Sequence, residues 1–278
     1  MGIIIGLDIG GSTTKIVGMS GTEVISRALV QASDPIASAF GALGKFVNLN
    51  ELDISSIERV MVTGVGASHL KGDLLGIPTL RVPEFQAVGL GGLFATGLHE
   101  AIVVSMGTGT AFVHARDGAV QHIIGSGVGG GTMLGLASRL ISIHNFNLFK
   151  QLAEGGDLSH IDLSIGDISR IEIPGLSADT TASNFGKISD SASTEDIALG
   201  IVNLVFQSVG TNAVLAARLN GVRDIIFTGN LTQVEAGKRV LAGFSILYDM
   251  NITVPEYAEF ATATGAALSN LPDELTYT

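Results

Sequence analysis

Apolar residues along this chain gather in short β-branched runs that stop at glycine, separated by stretches with helical spacing. Ile3–Leu7 is such a run, ending at Asp8 and Gly10-Gly11, and predicts a buried strand feeding a tight turn. Lys15–Met19 and Glu23–Leu29 continue as the next two strands of a meander. Ile36, Phe40, Leu43 and Phe46 then recur at helical spacing after Asp34-Pro35, a cap followed by a first-turn proline. Val60–Thr63 predicts a strand closing at Gly64, and Gln86–Leu98 a helix loosened by glycines.

The pattern then starts again. Ala101–Ser105 is a strand ending in Met106-Gly107-Thr108-Gly109-Thr110, followed by strands at Ala111–Ala115 and Val120–Ile124. Gly125–Gly131 opens a helix over Thr132–Ile143, with further helices at Leu148–Ala153, Ile197–Leu219 and around Ala258–Leu268, and a late strand at Asp224–Thr228. Asp8-Ile9-Gly10-Gly11-Ser12-Thr13 and Ser105-Met106-Gly107-Thr108-Gly109-Thr110 are alike about a hundred residues apart, which predicts duplicated lobes rather than a solenoid of short period. The expected lobes are 1–99 and 100–278. Residues 157–195 are more polar and predict a mobile or interface insertion.

Composition narrows the function classes. Of 278 residues, 37 are glycine and 6 proline, and the glycines sit in clusters between apolar runs, as in loops that approach a ligand closely. The net charge of -11 argues against a nucleic-acid or anionic-membrane partner, which needs a basic face. It leaves phosphate ligands open, because main-chain N–H groups hold phosphate without Lys or Arg. There are no cysteines, so disulfides, zinc–thiolate sites and iron–sulfur clusters are excluded. The N-terminal apolar run is short and interrupted by Asp8, unlike a signal peptide, and no stretch reads as a membrane span of ~20 apolar residues. The expectation is a soluble cytoplasmic protein.

Five segments carry candidate chemistry. In the first turn, glycines 10 and 11 let main-chain amides face an anion, the hydroxyls of Ser12, Thr13 and Thr14 add neutral donors, and Lys15 closes the turn. Asp8 stands where a carboxylate could hold Mg²⁺ through water. A plain hairpin with a surface aspartate is the simpler reading of that turn alone. Gly107, Thr108, Gly109 and Thr110 repeat the chemistry, and two matching turns make coincidence less plausible. The third segment, Gly125-Ser126-Gly127-Val128-Gly129-Gly130-Gly131, places five glycines in seven residues before a helix. The fourth, a strand into Thr228-Gly229-Asn230, exposes main chain to an adenine or ribose. The fifth, Ala261–Ala267, is small enough for two helices to pack closely as a hinge.

In this order, the two phosphate turns, the adenosine strand and the small-residue helix resemble the superfamily of actin, heat-shock chaperones and sugar kinases. Within it the chain is similar to the type II pantothenate kinases over most of its length. The matching segments include Pro83-Glu84-Phe85-Gln86-Ala87-x-Gly89, Ser126–Thr132, Phe149–Ala153 with Gly156-Asp157, Ile161-Asp162-Leu163 and Ala182–Gly186. The resemblance implies an α/β fold of two actin-like, ribonuclease H-like lobes with a nucleotide cleft between them. It implies phosphorylation of pantothenate by ATP with Mg²⁺, in a homodimer. It makes Glu84 the catalytic base, Asp8 the metal holder, and Asp8, Gly10, Gly11, Ser12, Thr13, Lys15, Gly107–Thr110, Gly129–Gly131, Gly229 and Asn230 the ATP contacts. Ser105, His122, Gly125, Thr181 and Asn184 are the substrate-side candidates.

A helix-terminal acid favoured by the dipole is the alternative role for Glu84. The sequence also departs from the family pattern. Some relatives carry Arg where His122 stands, and Ser105 occupies a position where Asn is expected. A sugar or amino-sugar kinase and a non-catalytic nucleotide sensor are the competing functions.

Overall fold

The computed structural model describes residues 2–11, 13–31, 34–171 and 173–269. Its first half runs β1 (Ile3–Ile9), β2 (Thr13–Ser20), β3 (Glu23–Gln31), α1 (Pro35–Leu49), β4 (Ile57–Thr63), β5 (Thr79–Arg81) and α2 (Glu84–Thr96). The strands form one sheet in the order β3-β2-β1-β4-β5, with the meander antiparallel and β4 and β5 parallel to β1. The Asp34 carboxylate accepts from the Ala37 N–H at 2.7 Å and Pro35 opens α1, as the cap and proline predict. Ile5, Leu7 and Ile9 alternate onto one face and are fully buried with Leu43 and Phe46 of α1 and Val60 of β4.

The second half runs β6 (Glu100–Met106), β7 (Thr110–Arg116), β8 (Ala119–Ser126), α3 (Gly130–Ile141), α4 (Phe146–Glu154), β9 (Leu163–Ser164), α5 (Ile165–Ile168), β10 (Thr181–Ser183), α6 (Thr194–Leu219), β11 (Asp224–Thr228), α7 (Glu235–Tyr248), β12 (Asn251–Thr253) and α8 (Ala261–Leu268). Its sheet order is β12-β11-β6-β7-β8. Read from the other edge this repeats the first sheet, with β6 in the place of β1, β11 of β4 and β12 of β5. The duplication expected from the two glycine turns therefore extends to the whole sheet.

β5, β12, the small β9–β10 hairpin, the short α5 and α7 lie outside the elements predicted from the sequence. α6, read as a helix beginning near Ile197, begins at Thr194. Ser193 caps it, and Asp196 returns the contact by accepting the Ser193 N–H at 2.9 Å. By length and composition α6 could cross a membrane, contrary to the expectation that no stretch would qualify. Its apolar residues instead form the centre of the second core, with Val202, Val205, Phe206 and Val209 fully buried beside Phe112, Phe149 and Phe227.

Two helices join the halves, each lying on the inner face of a sheet. α8 covers the first sheet so closely that a β-carbon on Gly6 would stand 1.9 Å from the Ala263 carbonyl oxygen. α2 covers the second sheet through Val88 and Leu93, against Ala101, Val103 and Val113. α2 and α8 also pack on each other at main-chain distance, since a β-carbon on Gly265 would lie 1.9 Å from the Ala87 carbonyl oxygen. The small-residue run at 261–267 thus serves the close helix packing read from it.

Candidate active site

Both glycine turns begin where a strand leaves the inner face of its sheet. On β1 the even positions face α8, so Asp8 shares a face with Ile4 and Gly6. On β6 the odd positions face α2, so Ser105 shares a face with Ala101 and Val103. Asp8 and Ser105 are therefore counterparts, each at the end of the central strand of its half.

Around the first turn, the Gly10 N–H donates to the Thr13 carbonyl at 3.0 Å and closes the bend. Ser12 lies outside the described residues. Asp8 pairs in register with Lys15 of β2 on one side and Thr63 of β4 on the other. The nearly buried Lys15 ammonium stands 3.8 Å from the Asp8 carboxylate. Burial pushes the Asp8 carboxyl up and the Lys15 charge pulls it part of the way back. Gly64 turns the chain away from Thr63 with φ at 86°, and a β-carbon there would meet the Asp8 carboxylate at 2.6 Å. Glycine at 64 thus leaves the space the carboxylate occupies.

Glu84 is the first residue of α2. Its carboxyl is pushed above the ordinary glutamate range, chiefly by burial and then by the negative charge of Asp8. The two carboxylates therefore share one electrostatic environment. The next residue, Phe85, lies flat against His122 of β8, with ring centroids 4.0 Å apart. That stack ties the start of α2 to the second sheet. His122, read as a partial replacement for a family arginine or as a surface residue, is the stacking partner beside the candidate base.

The second turn, the third loop and the fourth segment meet as main chain on main chain. The Gly130 N–H donates to the Gly107 carbonyl and the Gly131 N–H to the Thr108 carbonyl, both at 2.9 Å. A β-carbon on Gly129 would strike the Thr108 carbonyl oxygen at 2.7 Å. The Thr110 hydroxyl donates to the Val128 carbonyl at 2.8 Å, and Gly125 pairs with Ala111 across β7 and β8. Gly229, with φ at 91°, packs on Met106, and Leu231 after Asn230 reaches the Gly130 position. Much of the glycine demand read as ligand approach is met by contact between these segments. The Gly130 and Gly131 amides, in particular, are already occupied.

Thr181 and Asn184 gather elsewhere, around the buried Asp162. Its carboxylate accepts from the Asn203 amide at 2.6 Å, the Phe185 N–H at 2.8 Å, and the Thr181 hydroxyl and Asn184 amide at 3.3 Å each. Asp162 and Asn203 were missed as organisers of this segment, although Ile161-Asp162-Leu163 belonged to the matching pattern. Three of the four donors lie 22 or more residues of chain away and Thr181 lies 19 away, so the cluster is invisible to local reading.

A second missed signal is an internal repeat. Thr63-Gly64 followed by Val82-Pro83-Glu84-Phe85 returns as Thr228-Gly229 followed by Val254-Pro255-Glu256-Tyr257. The copies do equivalent work. Phe85 stacks on His122 of the third strand of the second meander, and the Tyr257 ring lies 4.2 Å from the guanidinium of Arg27 on the third strand of the first.

Among the described residues no group of three or more His, Asp or Glu gathers into a metal cage. Magnesium is commonly held by one or two carboxylates, with water and phosphate oxygens supplying the rest. Asp8 is the residue that would hold it, its mostly buried carboxylate standing at the end of β1 where the first glycine turn begins.

The chain is 29% identical over 285 residues to a type II pantothenate kinase of Staphylococcus haemolyticus, covering 96% of this chain and 99% of that protein. It is 36% identical over 136 residues to pantothenate kinase 1 of Oryza sativa, covering 46% of this chain and 20% of that one. Its fold is similar to that of the activator of the 2-hydroxyisocaproyl-CoA dehydratase from Clostridium difficile with bound ADPNP, with a TM-score of 0.70 at 19% identity, covering 96% and 93% of the two chains. The fold is thus the actin-like one expected from the sequence. The family model Fumble matches residues 95–262, more than half of the chain, and the protein belongs to the Fumble family.

Proposed function

We propose that this protein transfers the γ-phosphoryl group of ATP to the primary hydroxyl of pantothenate, giving 4'-phosphopantothenate and ADP, the first step of coenzyme A biosynthesis. The observation that carries the reading is Glu84, a solvent-reachable carboxylate at the head of α2 whose carboxyl is raised by partial desolvation and by the charge of Asp8. A base tuned upward in this way takes a hydroxyl proton more readily than a glutamate of ordinary pKa. The near full-length likeness to a type II pantothenate kinase supplies the substrate.

In this reading Glu84 accepts the proton of the pantothenate hydroxyl as its oxygen bonds to the γ-phosphorus. The bond from that phosphorus to the β,γ-bridging oxygen breaks, and ADP leaves with the electron pair. Such transfer asks the protein mainly for positioning and charge neutralisation. Bound at Asp8, Mg²⁺ would offset phosphate charge. The turn at 10–13 and the turn at 107–110 flank the nucleotide from the two halves, with Gly229 and Asn230 toward the adenosine. Phe85 and His122 hold Glu84 against the second sheet. Ser105, on the same inner face, and the segment carrying Thr181 and Asn184 belong to the substrate side. A cytoplasmic homodimer completes the reading, with the exposed Leu215 and Leu219 at the end of α6 as an apolar edge for the second copy.

The test is product identification by mass spectrometry after incubation with MgATP and pantothenate, hexoses or amino sugars. Phosphopantothenate formed far faster than any sugar phosphate is expected. A sugar phosphate as the main product would assign the protein to the sugar kinases. Nucleotide binding with no phosphorylated product would make it a sensor.

A further inference from the structure

The Thr63 hydroxyl is the one buried side-chain polar atom among the described residues that has no hydrogen-bond partner. Thr63 is 1% exposed, so water at the surface does not satisfy it. A buried hydroxyl without a partner destabilises the fold, and such atoms are rare enough to ask for a reason.

Its position supplies one. Thr63 ends β4 directly beside Asp8 in the parallel register. Neighbours in register project to the same face, so the hydroxyl and the carboxylate lie on the face of the first sheet covered by α8. Met61, two residues earlier on that face, packs with Ala87 of α2 and Ala266 of α8.

The duplicated half provides an internal control. Thr228 occupies the same place at the end of β11, beside Ser105, and is likewise followed by a glycine of positive φ. Its hydroxyl donates to the Val104 carbonyl of the neighbouring strand at 3.4 Å. The same residue in the same local fold can therefore be satisfied by main chain. In the first half, where the strand neighbour is a carboxylate rather than a serine, the threonine hydroxyl is left open. Local geometry does not force that difference. It goes with the one of the two sites that carries the acid.

We propose that Thr63 is a positioning residue for the divalent cation at Asp8, its Oγ1 hydrogen-bonding a water of the cation's hydration shell. The inference rests on the reading of Asp8 as metal holder, but not on pantothenate being the acceptor. Magnesium keeps most of its waters, so a single carboxylate leaves its orientation to groups that hold those waters. Residues that hold a metal's ligands from behind typically change affinity by about 10–100-fold when removed.

Thr63→Val removes the hydroxyl and keeps the shape, and Thr63→Ser keeps the hydroxyl. Manganese binding is read by electron paramagnetic resonance in the presence of a non-hydrolysable ATP analogue, and each variant is melted without metal. Thr63→Val is expected to weaken manganese binding about 10-fold while melting no lower than the parent, since an orphaned hydroxyl has been replaced by a methyl group. Thr63→Ser is expected to bind manganese close to the parent value. Binding by Thr63→Val within twofold of the parent overturns the inference, as does a clear loss of melting temperature, which would mean the hydroxyl has a structural partner. Failure of the substrate reading would show separately, as absence of phosphopantothenate with manganese binding intact.

Discussion

Phe85 and His122 lie face to face, their planes 10° from parallel, and this contact couples the first turn of α2 to the second sheet. Glu84 sits one residue before Phe85, so the candidate base is placed by both halves at once. The repeat Val254–Tyr257 uses Tyr257 and Arg27 in the same way on the opposite side. Here the two halves are locked by aromatic contacts at the heads of α2 and the segment leading into α8.

His122→Ala should therefore misplace Glu84 without unfolding the protein. An aromatic pair contributes about 0.5–1.5 kcal/mol, so kcat/KM for pantothenate should fall up to about tenfold. His122→Phe should recover most of it, which a cationic role for His122 would not allow. Steady-state kinetics on the two variants checks this.

The raised Glu84 carboxyl has a stability consequence of definite sign. Its folded-state pKa exceeds the ordinary 4.5, so the charged form is less favourable in the folded chain than in the unfolded one. Stability is then lost as pH rises from the ordinary value through the raised one. Glu84→Gln should melt higher than the parent near about pH 7.5, and the gap should close below about pH 4. Calorimetry at the two pH values decides it. The acid limb of the parent's pH–rate profile should lie above the range of an exposed glutamate and vanish in the variant.

Gly265→Ala tests the close packing of α2 and α8. The added carbon would meet main chain at Ala87 and, at 2.6 Å, the Gly91 nitrogen, neither of which can rotate away. A loss of about 3 kcal/mol in urea unfolding is expected.

The sheets were legible because their signals are local. A β-branched run ending in glycine specifies a strand and its turn wherever it occurs, and two such runs a hundred residues apart betray the duplication. α7 was not legible because Gly237 and Gly243 interrupt its pattern. The reason for Gly237 is tertiary, as a β-carbon there would enter the Phe206 ring. β5 and β12 are three-residue edge strands whose pairing, not their composition, makes them strands. The nature of the glycines at 129–131 was only half legible. Their closeness to something was plain, but that the neighbour includes the 107–109 turn depends on how the chain returns. Glu84 stood out through family resemblance, whereas Thr63 is marked only by the partner it lacks.

Asp162→Asn should loosen the segment around Thr181 and Asn184. It replaces an acceptor of four donors by a group that presents N–H to some of them, at a cost of about 3 kcal/mol. Faster proteolysis between residues 163 and 190, together with a higher KM for pantothenate, is the expected outcome.

The central claim is that Glu84 receives the acceptor proton during transfer from ATP. Its most direct test is single-turnover transfer of labelled γ-phosphate to pantothenate by the parent and by Glu84→Gln, with nucleotide binding measured in parallel. The account predicts a fall of about 10²–10⁴-fold in the transfer rate with binding of an ATP analogue unchanged. Transfer by Glu84→Gln at the parent rate would contradict it.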